Sequence, residues 1–226
     1  MSEMAEVWNY RGHDGGFIAD VQGGDDVAIR ICDFVLALCA IVFLAPLMGF
    51  TAFIVWAQDR GSPVFGHTRL GRGGKSFKCL KFRSMVVDSQ ARLDALLASD
   101  PAARAEWDRD HKLRNDPRIT RFGAFIRKSS IDELPQLFNV LRGEMSLVGP
   151  RPIVAGEAER YGKYIAAYYA VTPGITGLWQ VSGRNNTTYR RRVTLDVAYA
   201  RSRSLKLYLK LLIATIPAVL ISRGAF

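Results

Sequence analysis

Asp132 and Glu133 are adjacent carboxylates at the head of a patterned run. Leu134, Leu137, Phe138 and Leu141 follow at i, i+3, i+4 and i+7, one face of a helix. Pro135 is tolerated only in a first helical turn, so the spacing predicts a helix beginning at about Asp132. Asp132 would then sit near the N-cap, where unpaired backbone N–H groups and the helix dipole favour negative charge and welcome a phosphate. Taken alone, such a pair is more often a cap beside a solvated glutamate than a catalyst. The neighbours change that reading: Arg127 and Lys128 precede the pair, and Arg142 and Arg151 follow it. Phosphoryl transfer asks for charge neutralisation more than for covalent help, and cations around carboxylates supply it. Two roles fit the pair. It could hold Mg²⁺ together with phosphate oxygens, or an aspartate could attack phosphorus and form an acyl phosphate. Residue types alone do not choose.

The elements around the pair are of two kinds. Residues 34–57 form 24 consecutive uncharged, mostly apolar residues, long enough to cross a bilayer. Pro46 lies at their middle and removes a helical hydrogen bond. The segment reads as a kinked single span, as a helix–break–helix that enters and leaves one leaflet, or as a buried core helix. Its all-round apolarity disfavours the last. The basic residues follow the segment and residues 1–26 carry six acids against one arginine, which leans toward a span. Those first residues read as a disordered acidic tail without a signal peptide. The rest is basic: net charge +10 and pI about 9.8 imply an anionic partner. A nucleic acid is disfavoured, because no binding motif is recognisable and the apolar segment would go unexplained. Cys32, Cys39 and Cys79 lack metal-ligand spacing, and their odd number suits a reducing compartment.

Local patterns predict an α+β, mostly helical chain. Residues 63–70 and 76–83 alternate as two strands around Gly71-Arg72-Gly73-Gly74, a β-hairpin carrying Lys78, Lys81 and Arg83. Gly74-Lys75-Ser76 mimics the end of a P-loop but lacks its first glycine, and reads as the turn. Helices are expected at 84–98, from Asp100-Pro101 to about 113, at 120–128, at 157–171 and at 189–203. Residues 142–152 and 177–184 read as loops, the first with a short extended piece. Residues 205–221, interrupted by Pro217, suit equally a core helix or one lying in a membrane interface.

Four stretches, in order, resemble the bacterial sugar transferase family of monotopic phosphoglycosyl transferases. They are Lys78-Cys79-Leu80-Lys81-Phe82-Arg83-Ser84-Met85, Ser130-Ile131-Asp132-Glu133-Leu134-Pro135-Gln136-Leu137-Phe138-Asn139-Val140, Met145-Ser146-Leu147-Val148-Gly149-Pro150-Arg151-Pro152 and Pro173-Gly174-Ile175-Thr176-Gly177-Leu178-Trp179-Gln180-Val181-Ser182-Gly183-Arg184. The likeness runs from about Val27 to Phe226. Phe77-Lys78-Cys79-Leu80-Lys81 and Lys112-Leu113-Arg114-Asn115-Asp116-Pro117-Arg118 are most like the rhizobial exopolysaccharide branch that transfers galactose phosphate.

The resemblance implies transfer of a sugar-1-phosphate, galactose before glucose, from a UDP-sugar to undecaprenyl phosphate with release of UMP. It makes Asp132 the nucleophile and Glu133 its dyad partner, both tied to Mg²⁺. It places Lys81, Arg83, Arg127, Arg151, Pro152 and Arg184 against substrate. It turns the apolar segment into a re-entrant hairpin bent at Pro46, with both ends on the cytoplasmic face of the inner membrane. The expected organisation is a tail at 1–26, a membrane hairpin at 27–58 and a catalytic domain at 59–226 ending in an interfacial helix. A homodimer is among the expected assemblies, nucleic acid is not, and a non-catalytic basic membrane scaffold is the rival.

Overall fold

The computed structural model describes residues 23–110, 113–182 and 188–220. It is mostly helical, with a small antiparallel hairpin and one long apolar helix near the N-terminus. That helix, α1, runs Gly23–Asp59 with Pro46 inside it. It is helical on both sides of the proline, so the expected break is not a gap in the helix. It also begins at Gly23, upstream of the expected 27. Asp25 and Asp26 lie in its first turn, where negative charge meets the positive end of the helix dipole.

The chain divides into two compact units that interleave in sequence. The second comprises Phe43–His67 and Leu80–Pro135 among described residues. It holds the C-terminal half of α1, the base of the hairpin formed by β1 (Val64–Leu70) and β2 (Ser76–Phe82), and helices α2 (Ser89–Ser99), α3 (Pro101–Asp110) and α4 (Arg121–Lys128). Its core joins Met48 and Val55 of α1 to Phe82 of β2 and Ile126 of α4, with Ile131 and Leu134 packed alongside.

Local chemistry sets several of these boundaries. Asp100 Oδ1 accepts the N–H groups of Ala102 and Ala103 at 2.8 and 3.1 Å, capping α3 as Asp-Pro predicts. Thr120 Oγ1 accepts from Gly123 N at 2.8 Å and starts α4. Helix α2 starts five residues later than the pattern from Ser84 suggests. The backbone there is used otherwise: Thr120 N donates to Ser84 O at 3.1 Å, Val86 N donates to Arg118 O at 2.9 Å, and Met85 bridges Ile119.

Among described residues, the first unit comprises 23–42, 68–79, 136–182 and 188–220. It holds the N-terminal half of α1, the hairpin turn, α5 (Gln136–Arg142), β3 (Ser146–Val148), α6 (Ala155–Ala158), α7 (Ile165–Ala170), β4 (Gly174–Thr176), α8 (Leu178–Val181), α9 (Tyr189–Ser202) and α10 (Leu205–Leu220). Strands β3 and β4 pair in parallel, Ser146 with Gly174 and Val148 with Thr176. Sequence periodicity misses this sheet, since three residues are too few to show a period of two. A side chain at Gly174 would begin 2.0 Å from Gly149 N, so only glycine permits this approach. The expected helix 157–171 is cut into pieces by Gly162, whose φ is +50°. Residues 178–181, expected as loop, form the turn of helix α8.

Polar anchors fix α1 within this unit. Asp33 Oδ1 accepts from Leu147 N and from Tyr208 Oη, each at 2.8 Å. Arg30 donates to the carbonyls of Val140 and Leu141. Asp26 pairs with both Arg72 and Arg203. Helix α10 has a buried face and an exposed one. Tyr208 and Leu211 are buried in the core, while Leu209, Ile213 and Ile216 are exposed. It continues through Pro217 to Leu220.

Gly123 tests the packing behind the carboxylate pair. A Cβ there would meet Ser84 O at 1.9 Å and Ser84 Cα at 2.9 Å, backbone atoms that cannot swing aside. Gly123→Ala is expected to cost about 3 kcal/mol. Thermal unfolding in detergent followed by circular dichroism reads this as a lowered midpoint.

Candidate active site

The second unit presents Asp132 and Glu133 on a single turn of 3₁₀-helix, Ile131–Glu133. This corrects the expectation of an α-helix beginning at Asp132. Pro135 follows the turn, α5 starts only at Gln136, and Asp132 does not cap it. The buried face differs as well. Gln136, Leu137, Asn139 and Val140 are buried, whereas Phe138 is exposed, because the helix starts later and faces its core at a different angle.

Ser130, just before the pair, is in the left-handed region at φ +57°. A residue with a Cβ is uncommon there, and such strain persists only where the surroundings enforce it. Here Ile131 and Leu134 are pulled into the core while Glu133 N donates to Ser130 O at 3.2 Å. Sequence reading had no signal for this serine, since αL is a demand of the fold and not of the residue.

Lys81 reaches the pair from the end of β2. Its Nζ is 2.6 Å from Glu133 Oε1 and 3.6 Å from Asp132 Oδ2. Asp132 is only 7% exposed, and Glu133 keeps a quarter of its side chain accessible. Burial, the largest effect, pushes the Asp132 carboxyl above the ordinary carboxylate range. Lys81 opposes this, Glu133 adds to it by like-charge repulsion, and Arg127 opposes it more weakly. Arg127 stands exposed in the last turn of α4.

The expected site residues therefore fall into groups. Lys81, Arg127, Asp132 and Glu133 come together. Arg83 is in the same unit with other partners: it pairs with Asp59 at the end of α1, and its Nε donates to Ser62 O at 2.8 Å. Arg151 and Pro152 belong to the first unit, and Arg184 lies outside the described residues. Pro46 is in α1.

A half-shielded carboxylate pair held by a lysine, in a basic chain with a long apolar helix, defines a class of protein suited to phosphate chemistry beside a membrane. Comparison with known proteins narrows the class. The family model described as bacterial sugar transferase matches residues 24–222, and the chain belongs to that family. The chain is 54% identical over 197 residues to a UDP-galactose-lipid carrier transferase of Erwinia amylovora, covering 87% of this chain and 41% of that protein. It is 52% identical over 197 residues to an undecaprenyl-phosphate galactose phosphotransferase of Salmonella typhimurium, with shares of 87% and 41%. It is 46% identical over 200 residues to the exopolysaccharide production protein ExoY of Rhizobium meliloti, with 88% of each chain covered. The chain thus spans about two fifths of the length of the Erwinia and Salmonella relatives.

The sign of the Asp132 effect follows from its raised value. A carboxyl whose folded pKa exceeds its unfolded one costs stability above the folded pKa, and the cost disappears as pH falls below the unfolded pKa. Asp132→Asn removes both the buried charge and its repulsion with Glu133. It is expected to leave the unfolding midpoint at pH 7 unchanged or raised, whereas Lys81→Met lowers it. Denaturation of both variants between pH 4 and pH 8 checks the pair, the gain from Asp132→Asn shrinking toward acid.

Proposed function

We propose that the protein transfers a hexose-1-phosphate from a UDP-sugar to undecaprenyl phosphate, through a covalent phosphosugar on Asp132. The observation that carries this reading is the shielded Asp132 carboxylate with Lys81 3.6 Å away. A carboxylate short of solvent is more basic and a better nucleophile when ionised. Its Oδ attacks the sugar-bearing phosphorus, the bond from that phosphorus to the bridging oxygen breaks, and UMP leaves with the bonding electrons. An oxygen of the lipid phosphate then attacks the same phosphorus and frees Asp132, leaving a lipid-linked diphosphosugar. Lys81 and Arg127 offset the charge that gathers on the phosphoryl oxygens.

Mg²⁺ suits the donor set. Two adjacent hard carboxylates, one partly accessible, match an ion that takes one or two protein carboxylates and completes its shell with phosphates and water. No cluster of three or more His, Cys, Asp or Glu residues able to form an all-protein cage occurs among the described residues. Glu133 and Asp132 would hold the ion, which would neutralise diphosphate charge when bound.

Two relatives named for galactose are 52 and 54% identical, while one named for glucose, from Xanthomonas campestris, is 40% identical. Galactose is therefore the proposed sugar and glucose the second reading. The product would start exopolysaccharide repeat units, as the name of the Rhizobium relative suggests.

The re-entrant course of α1 belongs to the same proposal. The likeness to the bacterial sugar transferase family and Pro46 in the middle of the apolar segment support it. On this reading both ends of α1 face the cytoplasmic side, and the apolar residues flanking Pro46 dip into one leaflet.

Purified protein with Mg²⁺, undecaprenyl phosphate and a panel of UDP-sugars should release UMP, most rapidly from UDP-galactose. Chelation by EDTA should stop release and added Mg²⁺ restore it. Without lipid, mass spectrometry should find a phosphosugar adduct that Asp132→Asn lacks, with turnover down about 10³-fold or more. UMP release and glycan assembly unchanged in Asp132→Asn would instead support a scaffold. A cysteine at position 10 should react with membrane-impermeant reagents only from the cytoplasmic side; labelling from the periplasm refutes the re-entrant course.

A further inference from the structure

Within the first unit, Arg69 lies against the turn that carries Arg151, with one loosely placed carboxylate near it. Arg69 of β1 donates Nη1 to Pro152 O at 3.4 Å, and the Glu157 carboxylate is 3.7 Å from the same nitrogen, beyond hydrogen-bond reach. That carboxylate is already engaged, since its Oε2 accepts Val154 N at 3.1 Å. Arg151, one residue before Pro152, is half-buried and makes no hydrogen bond or ion pair among the described residues. Its charge opposes that of Arg69; burial first, and Arg151 second, push the Arg69 pKa down.

The backbone enforces this crowding. Leu70 N donates to Ile153 O at 2.9 Å. The buried Tyr168 hydroxyl donates to Leu70 O at 2.8 Å and accepts from Ile153 N at 3.2 Å. The strand carrying Arg69 and the turn carrying Arg151 are thereby stitched together, which keeps the two cationic residues on neighbouring backbone. Neighbouring cations with little negative charge around them favour an anion, and guanidinium forks suit phosphoryl oxygens.

We propose that Arg69 joins Arg151 in a phosphoryl-binding site, with Glu157 as a built-in competitor that yields Arg69 to the incoming anion. The inference deepens the proposed function and rests on it for the identity of the ligand, the diphosphate of a nucleotide sugar or the phosphate of a polyprenyl lipid. The 3.7 Å contact of Glu157 is loose enough for an incoming anion to displace it.

Calorimetry with inorganic pyrophosphate on the full-length protein in detergent tests the site directly. Arg69→Gln keeps a donor for Pro152 O but loses the charge, and should weaken pyrophosphate binding about tenfold or more. Arg69→Lys should fall between it and the parent. Glu157→Gln, still able to accept from Val154 N, should bind several-fold more tightly, a gain that a purely structural role for Arg69 does not produce. Step-resolved kinetics separate the ligand sources. A raised KM for UDP-galactose in lipid-free UMP release assigns the site to the donor, and a raised KM for undecaprenyl phosphate in the transfer step assigns it to the acceptor. Unchanged pyrophosphate affinity in Arg69→Gln, or weaker binding in Glu157→Gln, overturns the proposal while leaving an active enzyme's function intact. Conversely, Arg69-dependent pyrophosphate binding by a protein that releases no UMP keeps the site and removes the proposed reaction.

Discussion

The second unit holds one shielded carboxyl, Asp132, beside a lysine that offsets part of the cost of its burial. Taking Asp132 out of water costs several kcal/mol, and an adjacent Glu133 raises the cost. Lys81 at 3.6 Å returns roughly 4–5 kcal/mol at the effective dielectric of a partly exposed protein site. The two effects are of similar size, and the raised Asp132 pKa says that burial wins. The result is a poorly solvated carboxyl that gives up its proton less readily than a free aspartate. Its supports are correspondingly rigid: a packed 3₁₀ turn, Ser130 held in αL, and the close approach of Gly123 to Ser84 that docks α4 behind it.

The first unit solves a different problem. A helix that is apolar on all sides has no preferred rotation against its neighbours, because every face is equally willing to be buried. Asp26, Arg30 and Asp33 supply the preference. Each is matched to polar groups that would otherwise go unpaired, including a strand N–H at Leu147 and carbonyls at the end of α5. Once these bonds set the rotation, Ile29 and Ala37 turn into the core while Val27, Ile31, Phe34 and Val35 stay exposed. The exposed strip of α10, with Leu209, Ile213 and Ile216, belongs to this same unit. Exposed apolar faces of this extent mark contact with a partner or a lipid surface.

Much of the local structure was legible in the residues. Asp100-Pro101 and Thr120 announce helix starts because their side chains cap at short range, and the Gly71–Gly74 turn announces a hairpin for the same kind of reason. Errors came where long-range pairing outbid local preference. The 84–88 stretch has helical pattern but spends its backbone hydrogen bonds on residues 118–120. Phe138 has the right spacing for a buried face and is exposed, since the turn at Ile131–Glu133 delays the helix.

The sequence by itself determined the apolar helix, the basic balance and the adjacency of Asp132 and Glu133, all of which depend on residue type and order alone. Tertiary structure decided which cation meets them. Lys81 and Arg83 are two residues apart and look equivalent in sequence, yet one reaches the carboxylate pair from β2 and the other, just past it, ties off the end of α1. Tertiary structure likewise made Asp132 a shielded carboxyl instead of a helix cap. Burial and charge proximity are properties of packing between segments distant in the chain, and no local pattern encodes them.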